Sequence, residues 1–242
     1  MYFRQILHEE KACISYLVGC PTFGPCAVVD PQGDPETYID QVKKNELEIS
    51  VIIETHVHAD HLSCARELAA LTGVPLYLGP GADVRYEHVP LADGQVLEVG
   101  NRLIQAIHTP GHTPEHICLL VDDWFVLTGD TLFVGDVGRV DLALNDVSAD
   151  EIRARAVQLY HGLNRLLELS DWTEIYPGHY EGSVCGRGID GKTISTIGYE
   201  RRSNPALQLS ADAFADFQIE GLPPLPADFH IIKRRNLGYE GS

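Results

Sequence analysis

The sequence predicts an α/β (α+β) fold of mixed sheets covered by helices. Three observations predict it. Strand-like and helix-like stretches alternate along the chain. Two pairs of strand-like stretches are close enough to form hairpins, around Gly100-Asn101 and Asp122-Asp123. The chain's 242 residues suffice for one large core.

In chain order, residues 13–18 and 27–29 read as short strands joined by a Pro- and Gly-rich turn. Asp34-Pro35 opens a helix reaching about Asn45, with proline where the missing N–H costs nothing. Residues 48–54 form an apolar, β-branched strand. Residues 60–72 read as a helix, with Leu62, Ala65, Leu68 and Ala69 at helical spacing and Gly73 at its end. Residues 75–78 are a strand. Residues 96–99 pair with 102–108, and 117–121 with 124–128. Ser148 and Glu151 frame a capping box that starts a helix to Leu169. Residues 174–176 are a strand leading into Pro177-Gly178-His179. The stretch 180–242 is rich in turn residues, including Pro205, Pro223, Pro224 and Pro226. The expectation is a single domain over 1–242 with a C-terminal extension from about 180.

The net charge of −17 disfavours nucleic acid and anionic membrane surfaces as partners, while a local arginine pocket can still hold a small anion. No apolar run approaches the roughly 20 residues of a bilayer span. With no signal-peptide pattern at residues 1–5, the expected location is the cytoplasm. The six cysteines at 13, 20, 26, 64, 118 and 185 contain no Cys-x-x-Cys pair, which argues against a zinc ribbon. They are expected to be reduced and mostly buried.

His56, His58, Asp60 and His61 lie within six residues at the end of a strand. The two-residue period puts His56 and His58 on one side, and the chain then turns back over the same point. His112, Asp130 and His179 each follow another predicted strand, in TPGHT, TGDT and YPGH. Strand-end loops are where a rigid scaffold presents chemistry. Together these seven point to a metal centre. His8, His88, His108, His116, His161 and His230 lack such a context and are expected not to be ligands.

The run THVHADH at 55–61, followed by His112, Asp130 and His179, resembles the metallo-β-lactamase superfamily over roughly residues 10–180. The resemblance implies an αβ/βα sandwich of two mixed sheets flanked by helices, with metals in a groove at one edge. It implies that His56, His58, His112 and Asp130 serve one metal. Asp60, His61, Asp130 and His179 would serve a second, with Asp130 bridging.

Two branches of that superfamily fit, and both carry a segment like GDTLFVGDVGR at 129–139. One is glyoxalase II, a dinuclear zinc thioester hydrolase, which implies as the alternative activity a hydrolase of thioesters or lactones. The other is the persulfide dioxygenases, which oxidise a thiol persulfide with O2 at one Fe(2+). Residues 195–206, STIGYERRSNPA, resemble the C-terminal element of the dioxygenases. In that branch His56, His112 and Asp130 correspond to the catalytic iron ligands, and His58, Asp60, His61 and His179 surround them. Arg139 and Arg201 match positions that bind the thiol carrier's carboxylates, and Tyr180 joins them as a substrate-binding candidate. After His179 the best-known glutathione-specific members carry Asp-Tyr, whereas this chain has Tyr180-Glu181. Its GSVCGRG at 182–188 resembles bacterial forms fused to a rhodanese domain. The implied substrates are therefore O2 and the persulfide of glutathione, coenzyme A or another small thiol. A rhodanese partner and a homodimer fit the same reading, and the alternative cofactor is two Zn(2+). No role is assigned to Cys185.

Overall fold

Side-chain alternation sorts the strands into two sheets with a shared core. The computed structural model describes residues 1–142, 148–220, 224–226 and 228–239, so Pro223 lies outside the described residues. The first sheet runs β1 (Tyr2–His8), β2 (Cys13–Gly19), β3 (Pro25–Val29), β4 (Glu48–Ile53), β5 (Leu76–Leu78) and β6 (Val89–Pro90), in that spatial order. The second is built from β7 (Val96–Val99), β8 (Arg102–His108), β9 (Ile117–Val121), β10 (Phe125–Gly129), β11 (Glu174–Pro177) and β12 (Ser195–Thr196), ordered β12-β11-β10-β9-β8-β7. Both are mixed: β3, β4, β5 and β6 pair in parallel within an otherwise antiparallel sheet, and β10 is parallel to β11 in the other.

The helices among the described residues are α1 (Glu36–Lys44), α2 (Ala65–Thr72), α3 (Ala149–Leu166), α4 (Ile197–Ser203), α5 (Ala211–Ile219) and α6 (Phe229–Asn236). Alternate residues of each strand face opposite ways. Ile14, Tyr16 and Val18 of β2 meet Ile117, Leu119 and Val121 of β9 between the sheets. Leu17 points outward to Tyr38 and Val42 of α1 and to Leu68 of α2. Cys118 and Leu120 point outward to Leu159 and Leu163 of α3, which also share a core with Phe214 and Ala215 of α5. Each buried Val, Leu, Ile or Phe among them contributes about 1.5–3 kcal/mol. The result is the expected αβ/βα sandwich.

Several local expectations are corrected. The helix expected over 60–72 begins only at Ala65. Residues 58–63 are held as a loop instead, because Asn236 of α6 donates to the carbonyls of His58 (3.0 Å) and His61 (2.8 Å) and accepts from the Ser63 N–H (3.1 Å). These long-range bonds hold the backbone groups out of helical pairing. The capping box at Ser148 and Glu151 forms, but α3 ends at Leu166. Strand β1, unanticipated, pairs with β2 along its whole length. Among the described residues, the turn-rich stretch after 180 contains α4, α5, α6 and the 3-10 turn Pro205–Gln208; Thr196, Asn204 and Ser210 side chains cap α4, the 3-10 turn and α5.

Candidate metal centre

Four strand-end loops meet at one edge of the sandwich. They follow β4, β8, β10 and β11 and carry the seven sequence-predicted ligands, all at most 5 % exposed. The backbone is closely packed around Asp130. A Cβ on Gly138 would lie 1.8 Å from the Asp130 carbonyl oxygen, and one on Gly178 would lie 2.7 Å from Asp130 Oδ1. Only glycine permits that approach.

The ligand atoms of His56, His112 and Asp130 lie within 4.8 Å of one another. The His56 Nε2, His112 Nε2 and Asp130 Oδ2 atoms are all buried without a hydrogen-bond partner. Oδ2 lies 3.8 Å from His56 Nε2 and 3.4 Å from His112 Nε2. Buried polar atoms left unpaired are costly, so three converging on one point mark a place for a cation.

The surroundings prepare each donor. The Thr55 hydroxyl donates to Asp30 Oδ2 (2.8 Å), so it accepts from His56 Nδ1 at 2.9 Å and leaves the Nε2 lone pair free. His112 Nδ1 donates to the Arg139 carbonyl at 2.7 Å, with the same consequence. Burial, joined for His56 by His58 and His112, lowers the pKa of both imidazoles and keeps them neutral, as a metal ligand must be. His116 accepts the Asp130 N–H at 2.9 Å and turns Nδ1 toward Thr109 (2.9 Å) and Thr131 (3.1 Å). Both its nitrogens are occupied, so it braces Asp130, in keeping with the expectation that it is not a ligand.

His58 does not join the triad's converging atoms as expected. Its Nε2 faces Asp30 Oδ1 at 3.3 Å and Glu54 Oε2 at 3.7 Å. A second cluster brings together Cys13, Asp60, His61 and His179. Asp60 Oδ2 lies 2.9 Å from His179 Nε2 and 3.0 Å from His61 Nδ1. Cys13 Sγ is 3.3 Å from Asp60 Oδ2 and 3.4 Å from His61 Nδ1. His179 Nδ1 also reaches Asp130 Oδ1 at 2.7 Å. Burial opposes a charge on His179, but Asp130, Cys185 and Asp60 outweigh it and raise its pKa well above the usual histidine range. Ion pairs link Asp60 to His61 and His179, while Asp60 Oδ1 and His61 Nε2 remain buried without a hydrogen-bond partner, so this cluster also offers free donors. Cys185 lies beside Asp130 and His179.

The structure does not bring the arginine candidates to these donors as free cations. The buried Arg139 guanidinium pairs with Asp141 through Nε at 2.6 Å and Nη2 at 2.8 Å, and donates to the Val184 carbonyl. Its contribution to the centre is the carbonyl that orients His112. Arg201 binds Asp171 and the carbonyls of Leu167 and Leu169, tying α4 to the end of α3. Tyr180 is half-buried and follows His179, its N–H donating to Ala12 at 3.1 Å.

Sequence reading missed Cys13, Asp30, Glu54, Glu115, Lys233 and Asn236. Glu115 accepts the Val57 N–H at 2.8 Å, and Lys233 donates to the Val57 carbonyl. Asp30 directly follows β3 and Glu54 directly follows β4, a strand-end placement like that of the ligands. No local pattern marks Lys233 or Asn236.

A model of the Metallo-beta-lactamase superfamily matches residues 10–185. The chain is 31 % identical over 205 residues to "Hydroxyacylglutathione hydrolase GloC" of Haemophilus influenzae, covering 75 % of this chain and 86 % of that protein. Among solved structures, ETHE1 from Myxococcus xanthus superposes with a TM-score of 0.85 at 29 % identity, over 98 % of both chains. A metallo-beta-lactamase from Staphylococcus aureus superposes with a TM-score of 0.89 at 29 % identity, over 98 % of this chain and 72 % of that one.

Proposed function

This chain belongs to the metallo-beta-lactamase superfamily, and from that premise we propose that it is a persulfide dioxygenase using a single Fe(2+) held by His56, His112 and Asp130. The observation that carries the reading is the convergence of three unpartnered buried atoms, two neutral imidazole nitrogens and one carboxylate oxygen, on one point. Two histidines and one carboxylate suit non-haem iron and leave coordination positions open. The full-length similarity to ETHE1, together with the segment at 195–206, supports the same branch.

Iron bound there would supply the open positions and one-electron chemistry that O2 and a persulfide sulfur require. The chain's own groups do the rest. Thr55 and the Arg139 carbonyl fix the imidazole tautomers. His179 holds Asp130 Oδ1, so that only Oδ2 faces the site. The enclosing loops bury all three donors and limit competing water. Overall, a persulfide, O2 and one water give sulfite and the free thiol. The substrate would be a small thiol persulfide.

A second reading is a dinuclear zinc hydrolase of thioesters. The cluster of Cys13, Asp60, His61 and His179 and the similarity to GloC favour it. Oxygen uptake by iron-reconstituted protein offered glutathione persulfide or coenzyme A persulfide separates the two. Persulfide-dependent uptake with about one iron per chain supports the dioxygenase. Thioester hydrolysis with two zincs per chain and no uptake on either persulfide would reject it.

A further inference from the structure

The chain carries a net charge of −17, yet one cleft beside the metal loop gathers arginines. It has a volume of about 520 Å³ and lies between α2 and α6, lined by Arg66, Arg235, Tyr86, Tyr239, Ser63 and Asn236 among others. That volume falls within the range of small-molecule sites. The Arg66 guanidinium sits 4.8 Å over the Tyr86 ring. Arg85 and Arg234 sit 3.7 Å and 4.6 Å over the Tyr239 ring at its rim. The Arg85 N–H donates to the Leu237 carbonyl at 2.8 Å, which fixes this rim against the end of α6.

Among the described residues, the arginine ion pairs engage Arg102, Arg139, Arg153, Arg165, Arg201 and Arg202, and none of these four. Glu67 also lines the cleft but pairs with none of them within the same residues. An arginine stacked on an aromatic face has that face covered and its in-plane N–H groups left to donate. Arg66, Arg85, Arg234 and Arg235 are all exposed, and their gathering at one rim concentrates positive charge that a bound anion would offset. A lone carboxylate is satisfied by one guanidinium in one plane. A tetrahedral dianion presents acceptors in several planes and can satisfy cations from α2 and α6 at once.

We propose that this cleft binds a phosphate-bearing small molecule, with Arg66 and Arg235 as its principal donors. Its wall includes Asn236, which also holds the carbonyls of His58 and His61, so the ligand sits one side chain away from the metal loop. The phosphate belongs either to the thiol carrier of the substrate or to a free phosphorylated effector. Only the first of these rests on the dioxygenase reading.

The test is calorimetric titration of the metal-loaded full chain with pyrophosphate and with adenosine 3′,5′-bisphosphate. Saturable binding is expected, weakened about tenfold by Arg66→Gln or Arg235→Gln and more by both together, as loss of a charge-assisted hydrogen bond implies. Arg153→Gln, which removes a surface arginine elsewhere, is expected to leave binding unchanged. No saturation up to ~10 mM, where affinity is negligible, or equal binding by the double variant, would overturn the proposal. So would glutathione, which bears carboxylates only, displacing pyrophosphate at equal concentration.

The source of the phosphate is read from the double variant's KM. A rise for coenzyme A persulfide, with none for glutathione persulfide, assigns it to the carrier. Unchanged KM for both, with pyrophosphate affinity lost, assigns it to a free effector. Absence of any oxygen uptake would reject the dioxygenase reading and leave the titration to stand by itself.

Discussion

His179 Nδ1 lies 2.7 Å from Asp130 Oδ1, which divides the work of that carboxylate between its two oxygens. One is held by the imidazole, and the other is left facing His56 and His112. A similar asymmetry recurs at the two imidazoles, each with Nδ1 engaged and Nε2 free. It leads to a prediction about which residues control metal content.

On the dioxygenase reading, His112→Ala or Asp130→Asn is expected to reduce bound iron to below about a tenth of an equivalent, since each alters one of the three proposed ligands. His61→Gln is expected to retain close to one iron. Elemental analysis of the purified variants checks both. Loss of one of two bound metals in His61→Gln, with the other kept, would favour the dinuclear reading.

Asn236→Ala removes three hydrogen bonds to residues 58–63 and strands two buried carbonyls. A destabilisation of about 2–3 kcal/mol is expected in urea unfolding of the metal-free protein. Metal affinity is expected to fall about 10–100-fold, as it does when a ligand's supporting contacts are lost. Unchanged affinity in a chelator competition would show that α6 does not shape the ligand loop.

Gly138→Ala places a methyl group 1.8 Å from the Asp130 carbonyl oxygen, a contact that backbone must relieve by moving. The cost in stability is about 1–3 kcal/mol. Because the displaced residue is Asp130, metal content should drop along with the melting temperature. Ala substitution at Gly188, where nothing lies within 4 Å of the added atom, serves as the comparison.

His8 responds to pH in a defined direction. Burial first, then the nearby charge of His61, lowers its pKa from 6.5 to about 4. The unfolded chain therefore takes up the proton first as pH falls. The stability associated with neutral His8 is complete above about 6.5 and is lost between 6.5 and about 4. Urea midpoints measured from pH 7.5 to 4.5 should decline less steeply in His8→Gln than in the parent chain.

Cys26, Cys64 and Cys118 should resist alkylation. All six are free and buried, and burial pushes Cys26, Cys64 and Cys118 up to about 12. Thiolate is the reactive form. Iodoacetamide at pH 8 is expected to leave these three unmodified in the native protein and to label all six after denaturation, as read by mass spectrometry.

What the sequence made legible followed the range of the interactions involved. The seven ligand candidates stand in short motifs at strand ends, and strand alternation is a local signal, so both could be read directly. Of the helix expected at 60–72, α2 forms from Ala65, and the part before it was overruled by Asn236, 175 residues beyond His61. Helical spacing was present there, but a distant side chain took the carbonyls. Strand β1 went unread because its exposed and half-buried residues, such as Arg4, Gln5 and Leu7, lack a clean apolar face. Arg139 and Arg201 have the chemistry of anion binders, yet Asp141 and Asp171 occupy them. Among the described residues, Arg66 and Arg235 have no such carboxylate partner, and no motif marked them.

The brace supplied by Asn236 also has a bearing on biosynthesis. His58 leaves the ribosome 178 residues before Asn236. At 5–20 residues per second the delay is roughly 10–40 s. Through that interval the ligand loop is without the contacts that fix its carbonyls. Correct metallation is therefore expected to follow synthesis of α6, and a nascent chain stalled before α6 would present its histidines to whichever ion is most abundant.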